Sequence, residues 1–276
     1  MRQLIVSGDD FGLHSSINEA IEEAFQKGIL TSASIVVNGE AAEEAIRIAK
    51  RNPGLGIGLH LTLIEEKPLK ISEKLAPYGY LPSNHNQLAF NLLTGKIPLK
   101  DAYDELEAQF KYALNSGLNI SHVDSHRHMH MLPRIWSSVA DLMKKYNIEK
   151  IRYVDVPFFD FRRDQIFKNI ISLGFKVMRV LRPGYRSPNS FIGFMESGNF
   201  SPDKFIQLIN KMDHGIWEIG MHPGKSDKVL KAKFPDWDSF YSYQFSWEGE
   251  FRTMLDKKVS ESLAKFGIEL INYNRI

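Results

Sequence analysis

Four of the nine histidines of this 276-residue chain lie within ten residues, in the stretch Ser121–His130 that reads SHVDSHRHMH. Residues two apart in an extended chain project to the same side, so Asp124, His126, His128 and His130 would share one side if a strand continued through them. Successive positions on that side are about 6.6 Å apart, so one or two of these side chains can reach a single metal ion. The others are expected to support the ligands or to contact a substrate. A surface cluster of histidines is the alternative interpretation.

Two adjacent carboxylates, Asp9 and Asp10, follow the apolar run Leu4–Val6. Like charges at the end of a buried strand repel each other, and a bound cation or a raised pKa of one carboxyl would relieve that repulsion. One aspartate could then bind a metal ion while its neighbour acts in proton transfer. The alternative is the start of a helix, where acidic residues are common.

Single histidines interrupt two further apolar stretches, His60 in GIGLHL and His222 in EIGMHPG. Taken alone, each of these residues could instead be a histidine that is hydrogen-bonded within the core. Taken together, four separate predicted strands end in Asp or His, and an aspartate with two imidazoles is typical of a divalent-metal site. Such an ion activates water and polarises a carbonyl, a free carboxylate accepts a proton, and a histidine protonates the leaving group. This combination predicts hydrolysis of an amide or ester.

Short apolar runs alternate with amphipathic stretches along the chain, which predicts strands alternating with helices and a mainly parallel sheet. The six to eight predicted strands favour a (β/α) barrel, in which the carboxyl ends of the strands meet on one face. No linker or repeat divides the chain, so a single domain over 1–276 is expected. Two stretches fit the alternation poorly, 62–98 and 223–247, and are expected to be loop insertions near the active site. The predicted strands lie at 4–6, 33–37, 55–61, 120–124, 151–153, 216–222 and 268–271.

The composition argues against several classes of protein. Lys and Arg number 35 against 33 Asp and Glu, a net charge of +2, so no electrostatic argument supports nucleic-acid binding. The chain has no cysteine, which excludes disulfides, thiolate metal sites and a cysteine nucleophile. No segment approaches the ~20 apolar residues of a membrane span, and the first apolar run is too short for a signal peptide. A cytoplasmic protein is therefore expected.

These motifs together resemble the YdjC-like carbohydrate deacetylase family, which includes chitooligosaccharide deacetylases and a hopanoid-biosynthesis branch. The combination of DDFG with DSHRHMH is the specific part of the likeness. The stretches 62–98 and 150–215 depart from the family pattern, and they should shape the sugar pocket. The matching stretches are SGDDFG at 7–12, GILTSAS at 28–34, VNG at 37–39, GLHL at 58–61, HVDSHRHMH at 122–130 and MHPG at 221–224.

The resemblance implies an α/β fold with an irregular (β/α) TIM-like barrel of the glycoside hydrolase and deacetylase type. It implies a metal-dependent hydrolase that removes an acetyl group from an N-acetylated amino sugar, chitooligosaccharide-like or lipid-linked. The residue types alone are compatible with Mg, Mn, Zn or Co, and the resemblance to the family favours magnesium or zinc. By position, the metal ligands would be Asp10, His60 and His126, the general base Asp9, the general acid His222, and the lining or supporting residues Asp124, His128 and His130.

Three other functions could use the same face of the barrel: a metal-dependent phosphoesterase, a glycosidic-bond hydrolase and a non-catalytic metal-dependent carbohydrate-binding protein. Asp9 and Asp10 project differently and do not flank a sugar bond, which counts against glycoside hydrolysis. Basic and aromatic residues around 179–186 and 225–247 are compatible with a substrate at a membrane surface. The sequence leaves the oligomeric state open. The candidates for stacking on sugar rings, with loop packing as the alternative, are Trp237, Tyr241 and Tyr243.

Overall fold

A computed structural model describes residues 1–157, 166–235, 237 and 244–276, without the Phe167 side chain. Strands alternate with helices along most of the chain, as the hydrophobic pattern predicts. The strands are β1 (Arg2–Phe11), β2 (Ser32–Ile35), β3 (Gly56–Leu61), β4 (Ile120–Ser125), β5 (Ser190–Ile192), β6 (Gly215–Met221) and β7 (Ile268–Leu270). The helices are α1 (Ser15–Lys27), α2 (Ala42–Arg51), α3 (His85–Thr94), α4 (Leu99–Asn115), α5 (Pro133–Lys145), α6 (Ile166–Leu181), α7 (Pro202–Asn210), α8 (Asp227–Lys233), α9 (Trp247–Leu255) and α10 (Lys257–Lys265).

The strands form one parallel sheet in the order β4-β3-β2-β1-β6-β5, and β7 pairs with the amino-terminal part of β1. The segment 149–155 connects the two edges of this sheet. On one side, the N–H of Arg152 donates to the carbonyl of Val123 in β4 at 3.0 Å. On the other, the N–H of Phe191 in β5 donates to the carbonyl of Asp155 at 2.9 Å. The α/β fold with an irregular parallel barrel is therefore confirmed.

The helices cover the outside of the sheet through their apolar sides. In α1, the buried residues Ile17, Ala20, Ile21 and Ala24 recur at the spacing of one helix face, as the sequence predicts. The amino terminus of α1 is capped by the His14 side chain, whose Nδ1 accepts from the Ser16 N–H at 3.0 Å. Within the described part of the chain, no helix has both the length and the apolar character needed to cross a bilayer.

The chain leaves β1 through a left-handed turn that sets the direction of the two aspartates. Asp10 has a φ of 64° and Gly12 a φ of 104°. A Cβ at Gly12 would lie 2.7 Å from the Val36 carbonyl oxygen, so both the backbone conformation and the close approach require glycine. An aspartate is among the few side chains that tolerate such a φ. The end of β1 is thus bent at the residue that enters the candidate site.

The predicted loop 62–98 begins where β3 ends and contains one helix, α3. Asn84 caps α3, because its Oδ1 accepts from the N–H groups of Asn86 and Gln87 at 2.9 and 3.1 Å. The strand predicted at 120–124 is confirmed as β4. β4 ends at Ser125, and a 3₁₀ turn over His126–Met131 follows.

Candidate metal centre

The ends of β1, β3 and β4 bring together the three predicted metal ligands, Asp10, His60 and His126. One ligand atom from each lies within 4.8 Å of the others, and all three residues are buried. Parallel strands place their carboxyl ends at the same edge, which is why residues 50 and 66 positions apart in sequence meet here. The donor set of one carboxylate oxygen and two imidazole nitrogens fits a divalent cation.

The Asp10 carboxylate is the centre of this cluster. Its Oδ1 lies 2.8 Å from His126 Nδ1 and 3.5 Å from His60 Nε2. Its Oδ2 is buried and has no hydrogen-bond partner among the described residues. Burial by itself raises the pKa of this carboxyl, but the charge and hydrogen bond of His126 outweigh it and hold the pKa well below its usual range. A buried, unsatisfied carboxylate oxygen is costly, and a bound cation would satisfy it.

His60 is oriented by a second aspartate. Its Nδ1 lies 2.8 Å from Asp124 Oδ1 and can donate a hydrogen bond to it, which leaves Nε2 directed toward Asp10. A carboxylate that holds the far ring nitrogen of a ligating histidine fixes its tautomer and orientation. Asp124 is itself held, since its Oδ2 accepts from the Ser34 hydroxyl at 2.8 Å.

We expect Asp124→Asn to weaken metal binding by about 10- to 100-fold, because the amide is a weaker acceptor for the His60 N–H. Competition with a calibrated chelator measures the affinity, and circular dichroism checks that the variant is folded. Asp141→Asn is the matched control, because Asp141 bonds the Tyr103 hydroxyl on the outside of the protein. An affinity for Asp124→Asn equal to that of the control would remove Asp124 from this role.

His126 reaches the site because the chain turns sharply after β4. Arg127 and His128 both have a positive φ, 52° and 55°, which is costly for side chains of this kind. The Nε2 of His126 lies 3.3 Å from Glu65 Oε2, a contact that sequence reasoning missed. Burial opposes protonation, but the carboxylates of Asp10 and Glu65 outweigh it and raise the pKa of His126 to about 9. The surroundings of His126 are therefore strongly negative and favour a cation.

The turn also places the remaining histidines of the cluster, which do not share one side as an extended strand would require. His130 has Nδ1 2.6 Å from the Ser125 hydroxyl and Nε2 2.8 Å from the Arg152 carbonyl, so it braces the turn. The His128 ring lies among aromatic rings, 5.5 Å from that of Phe191, and its Nδ1 has no hydrogen-bond partner among the described residues. His122 in β4 stacks on Tyr273 at 3.5 Å, and its Nε2 lies 3.3 Å from the Ser34 hydroxyl.

Asp9 has different partners from Asp10 although the two are adjacent. Its oxygens accept from both Nη atoms of Arg152, at 2.7 and 2.9 Å. Arg152 is fully buried and also contacts Asp124 at 2.6 Å and Glu218 at 2.7 Å. Sequence reasoning missed Arg152, although a guanidinium inside the apolar run IRYV is a signal of a buried ion pair.

The structure contains a second group of residues that could hold a cation, formed by Asp9, His60 and Asp124. The Arg152 guanidinium already lies between Asp9 and Asp124 and would repel a cation there. The group around Asp10 has no such competitor among the described residues, and it holds the unsatisfied oxygen. The site around Asp10 is therefore the better candidate.

We expect Arg152→Met to lower the free energy of unfolding by about 3–5 kcal/mol, because three buried carboxylates would lose their shared cation. Urea denaturation measures this change. Arg51→Met is the matched control, since Arg51 pairs with Glu22 on the exposed surface and its loss should be much less costly. Equal losses for the two variants would contradict the role of Arg152 as the cation that neutralises this network.

His222, the predicted general acid, follows β6 at the same end of the barrel. Its backbone N–H donates to Glu250 Oε2 at 2.5 Å, and its Nδ1 lies 3.7 Å from the same oxygen. Burial lowers the pKa of His222, but Glu250 opposes this effect and the net shift is upward. Glu250 lies on α9, far away in sequence, and sequence reasoning missed it.

A cleft of about 820 Å³ opens beside the cluster. Glu65 and Trp237 line this cleft and also lie beside the candidate ligand His126. Glu65 Oε2 is 3.3 Å from His126 Nε2. The Trp237 ring is 5.6 Å from the His126 ring and 6.4 Å from the His222 ring. Trp237 is thus in position to contact a ligand in the cleft, whereas Tyr241 and Tyr243 lie outside the described residues. The remaining residues that line the cleft are Asn38, Gly39, Glu40, Glu66, Lys67, Tyr80, Ser83, Asn84, Lys233, Phe234 and Pro235.

Comparison with protein families shows a match over residues 3–265 to the family described as YdjC-like protein. Among curated proteins, the chain is 29% identical to a carbohydrate deacetylase of Clostridium beijerinckii, covering 99% of this chain and 100% of the relative. It is 30% identical to a carbohydrate deacetylase of Geobacillus stearothermophilus, covering 99% and 97%. A chitooligosaccharide deacetylase of Escherichia fergusonii is 37% identical over 53% of this chain and 58% of its own length.

A solved structure has the same fold. It is the "putative cellobiose-phosphate cleavage protein" of Enterococcus faecalis, with a TM-score of 0.73, 23% identity, and coverage of 99% of this chain and 98% of that one. Similarity at this level of identity shows a shared fold.

Proposed function

The chain belongs to the YdjC-like protein family, and on that premise we propose that it is a metal-dependent carbohydrate N-deacetylase. Its full-length relatives from Clostridium beijerinckii and Geobacillus stearothermophilus are named carbohydrate deacetylases. One observation in the structure carries the proposal. Asp10 presents a buried oxygen that has no hydrogen-bond partner in the described part of the chain, beside two imidazoles, and the Asp9 carboxylate lies next to this group.

In the proposed site, Asp10, His60 and His126 hold a divalent ion. When bound, the ion would supply Lewis acidity, which makes water more acidic and polarises an amide carbonyl. Magnesium or zinc as the ion, a chitooligosaccharide or lipid-linked glycan as the substrate, and a cytoplasmic location stay predictions.

The chain's own residues provide the proton transfers. Asp9 has a carboxylate oxygen within 4.8 Å of a His60 ring nitrogen, so it can accept a proton from water that attacks at this site. Arg152 binds both Asp9 oxygens and fixes the direction of the carboxylate. His222, supported by Glu250, can give a proton to the departing amine. The Trp237 ring lies near the rings of both His126 and His222, so it can contact a substrate that binds between them.

Glycosidic-bond hydrolysis needs two carboxyl groups on either side of the bond, about 5–9.5 Å apart. Asp9 and Asp10 do not fit this need, because one binds Arg152 and the other binds the two histidines. The arrangement therefore supports deacetylation over glycoside cleavage.

The test is an assay of N,N′-diacetylchitobiose and longer N-acetylated saccharides for three products, acetate, reducing ends and phosphate, with a phosphorylated sugar included. We expect acetate release that stops with a chelator and returns on addition of magnesium or zinc. New reducing ends or phosphate without acetate would replace the proposal with one of the other hydrolase functions. Saccharide binding without any product would indicate a binding protein.

A further inference from the structure

The two histidines of the candidate metal centre have similar surroundings. Each ring has one nitrogen near Asp10 and the other near a second carboxylate. For His60, Nε2 lies 3.5 Å from Asp10 Oδ1, and Nδ1 lies 2.8 Å from Asp124 Oδ1. For His126 the two nitrogens are exchanged, since Nδ1 lies 2.8 Å from Asp10 Oδ1 and Nε2 lies 3.3 Å from Glu65 Oε2. The centre thus contains two carboxylate–imidazole pairs, and the second is formed by Glu65.

These contacts decide which nitrogen of His126 is free for a cation. A neutral imidazole has one N–H and one lone pair, so the nitrogen that donates to a carboxylate leaves the other for a metal ion. The two imidazole nitrogens near Asp10 Oδ1 lie 2.8 and 3.5 Å from it. Neighbouring ligands of one ion are roughly 3–3.5 Å apart when the bonds to the ion are 2.0–2.2 Å. In the described part of the chain, Glu65 belongs to neither group of candidate ligands, so it supports the ring from the opposite side.

Glu65 is itself held in place by several contacts. Its backbone N–H donates to the Pro82 carbonyl at 3.1 Å, where the loop 62–98 returns toward β3. Its Oε1 accepts from Arg127 Nη2 at 3.1 Å, and the Arg127 guanidinium lies 5.2 Å from the centre of the Trp237 ring. The φ of Glu65 is 67°, a left-handed conformation that persists only where the surrounding structure fixes it. A carboxylate fixed in this way can orient the imidazole beside it.

We propose that Glu65 is a positioning residue that holds the His126 ring so that Nδ1, rather than Nε2, binds the metal ion. This inference rests on the proposed function, since it requires an ion at the Asp10 site. The Nε2–H group of His126 donates to Glu65, and Nδ1 keeps its lone pair toward Asp10. Glu65 also lines the cleft. The loop that borders the space for the substrate therefore also orients a metal ligand.

Glu65→Gln should weaken zinc binding by about 10- to 100-fold, because the amide is a weaker acceptor for the Nε2–H group. Competition with a calibrated chelator measures the dissociation constant. Glu66→Gln is the matched control, because Glu66 lines the same cleft and its carboxylate has no hydrogen bond to a histidine among the described residues. The control removes the same charge and should weaken zinc binding by at most about fivefold, the effect of one screened charge. Equal losses in the two variants would overturn the proposal.

A purely structural role for Glu65 gives a different result. The unfolding temperatures of metal-free Glu65→Gln and Glu66→Gln should be similar, whereas zinc should raise the unfolding temperature less in Glu65→Gln, because a ligand stabilises a protein according to its affinity. A lower unfolding temperature of metal-free Glu65→Gln, together with the zinc affinity of the parent chain, would assign Glu65 to the fold alone and contradict the proposal.

A crystal structure of the zinc-loaded parent chain identifies the bound nitrogen directly. We expect zinc at about 2.0–2.1 Å from His126 Nδ1 and from His60 Nε2. Zinc on His126 Nε2, zinc on Glu65, or no zinc beside Asp10 would each refute the proposal. This result does not depend on turnover, so it is separate from the assay of acetate release. Zinc on Nδ1 without acetate release would refute only the deacetylase function, and acetate release with zinc on Nε2 would refute only the role of Glu65.

Discussion

Asp9→Asn is expected to lower kcat for acetate release by about 10²- to 10⁴-fold while the metal content stays at the level of the parent protein. Asparagine has nearly the same shape, and its remaining oxygen can still accept a hydrogen bond from Arg152. It cannot accept a proton from water. Because Asp9 binds Arg152 rather than the histidines, its replacement should leave the Asp10 site intact.

Acetate release measures kcat, and elemental analysis of the dialysed protein measures the metal. Asp141→Asn is the matched control and should keep both values, since Asp141 lies on the outside of the protein. Retained turnover would exclude Asp9 as the general base. Loss of metal together with activity would assign the ion to the second group, formed by Asp9, His60 and Asp124.

His126→Ala is expected to weaken metal binding by more than about 100-fold and to abolish acetate release. The substitution removes one of three ligands, which should cost more than loss of a supporting carboxylate. It also leaves the Asp10 carboxylate without its 2.8 Å partner. The effect should therefore be larger than that of Asp124→Asn.

Metal per chain after dialysis against a weak chelator is the measurement, with acetate release followed in parallel. His214→Ala is the matched control, because His214 is exposed and its Nδ1 lies 3.3 Å from the amino group of Met1. Full metal occupancy in His126→Ala would contradict the ligand assignment. Restored acetate release at high metal concentration would support weakened binding rather than a damaged fold.

The two aspartates illustrate how neighbours in sequence acquire separate functions. Asp10 turns toward His60 and His126 because its φ of 64° bends the end of β1. Asp9 remains in the strand and binds Arg152, which reaches it from the segment that joins the two edges of the sheet. The adjacent carboxylates predict a site with a cation, and the structure gives them different partners, the two imidazoles for Asp10 and the Arg152 guanidinium for Asp9.

Much of the architecture could be predicted because it depends on local patterns. The apolar spacing in α1 follows a periodicity of 3.6, and the continuously buried β1 contains a short apolar run, and both are visible without knowledge of distant contacts. Parallel strands then imply a common edge for their carboxyl ends. This reasoning predicts a common edge for the aspartates after β1, His60 and the histidines after β4, whereas the choice of Asp10, His60 and His126 as ligands came from the resemblance to the family.

Other parts of the site depend on contacts between distant residues. Arg152 binds Asp9, which lies 143 positions away in sequence. Glu250 binds His222, which lies 28 positions away. Glu65 meets His126 from 61 positions away, at the start of a stretch that fits no periodic pattern. Nothing in the spacing of such residues reveals their contacts, since these depend on how the loops close over the barrel.

By itself, the sequence determined the fold class and the common edge of the strands, because strand and helix periodicities are local properties of the chain, and its resemblance to the family indicated which residues of that edge are ligands. Only the tertiary structure decided that a 3₁₀ turn follows Ser125, that Asp9 pairs with Arg152, and that Glu250 supports His222. Each of these outcomes depends on which buried charges and apolar surfaces find partners elsewhere in the molecule, and that balance exists only once the chain has folded.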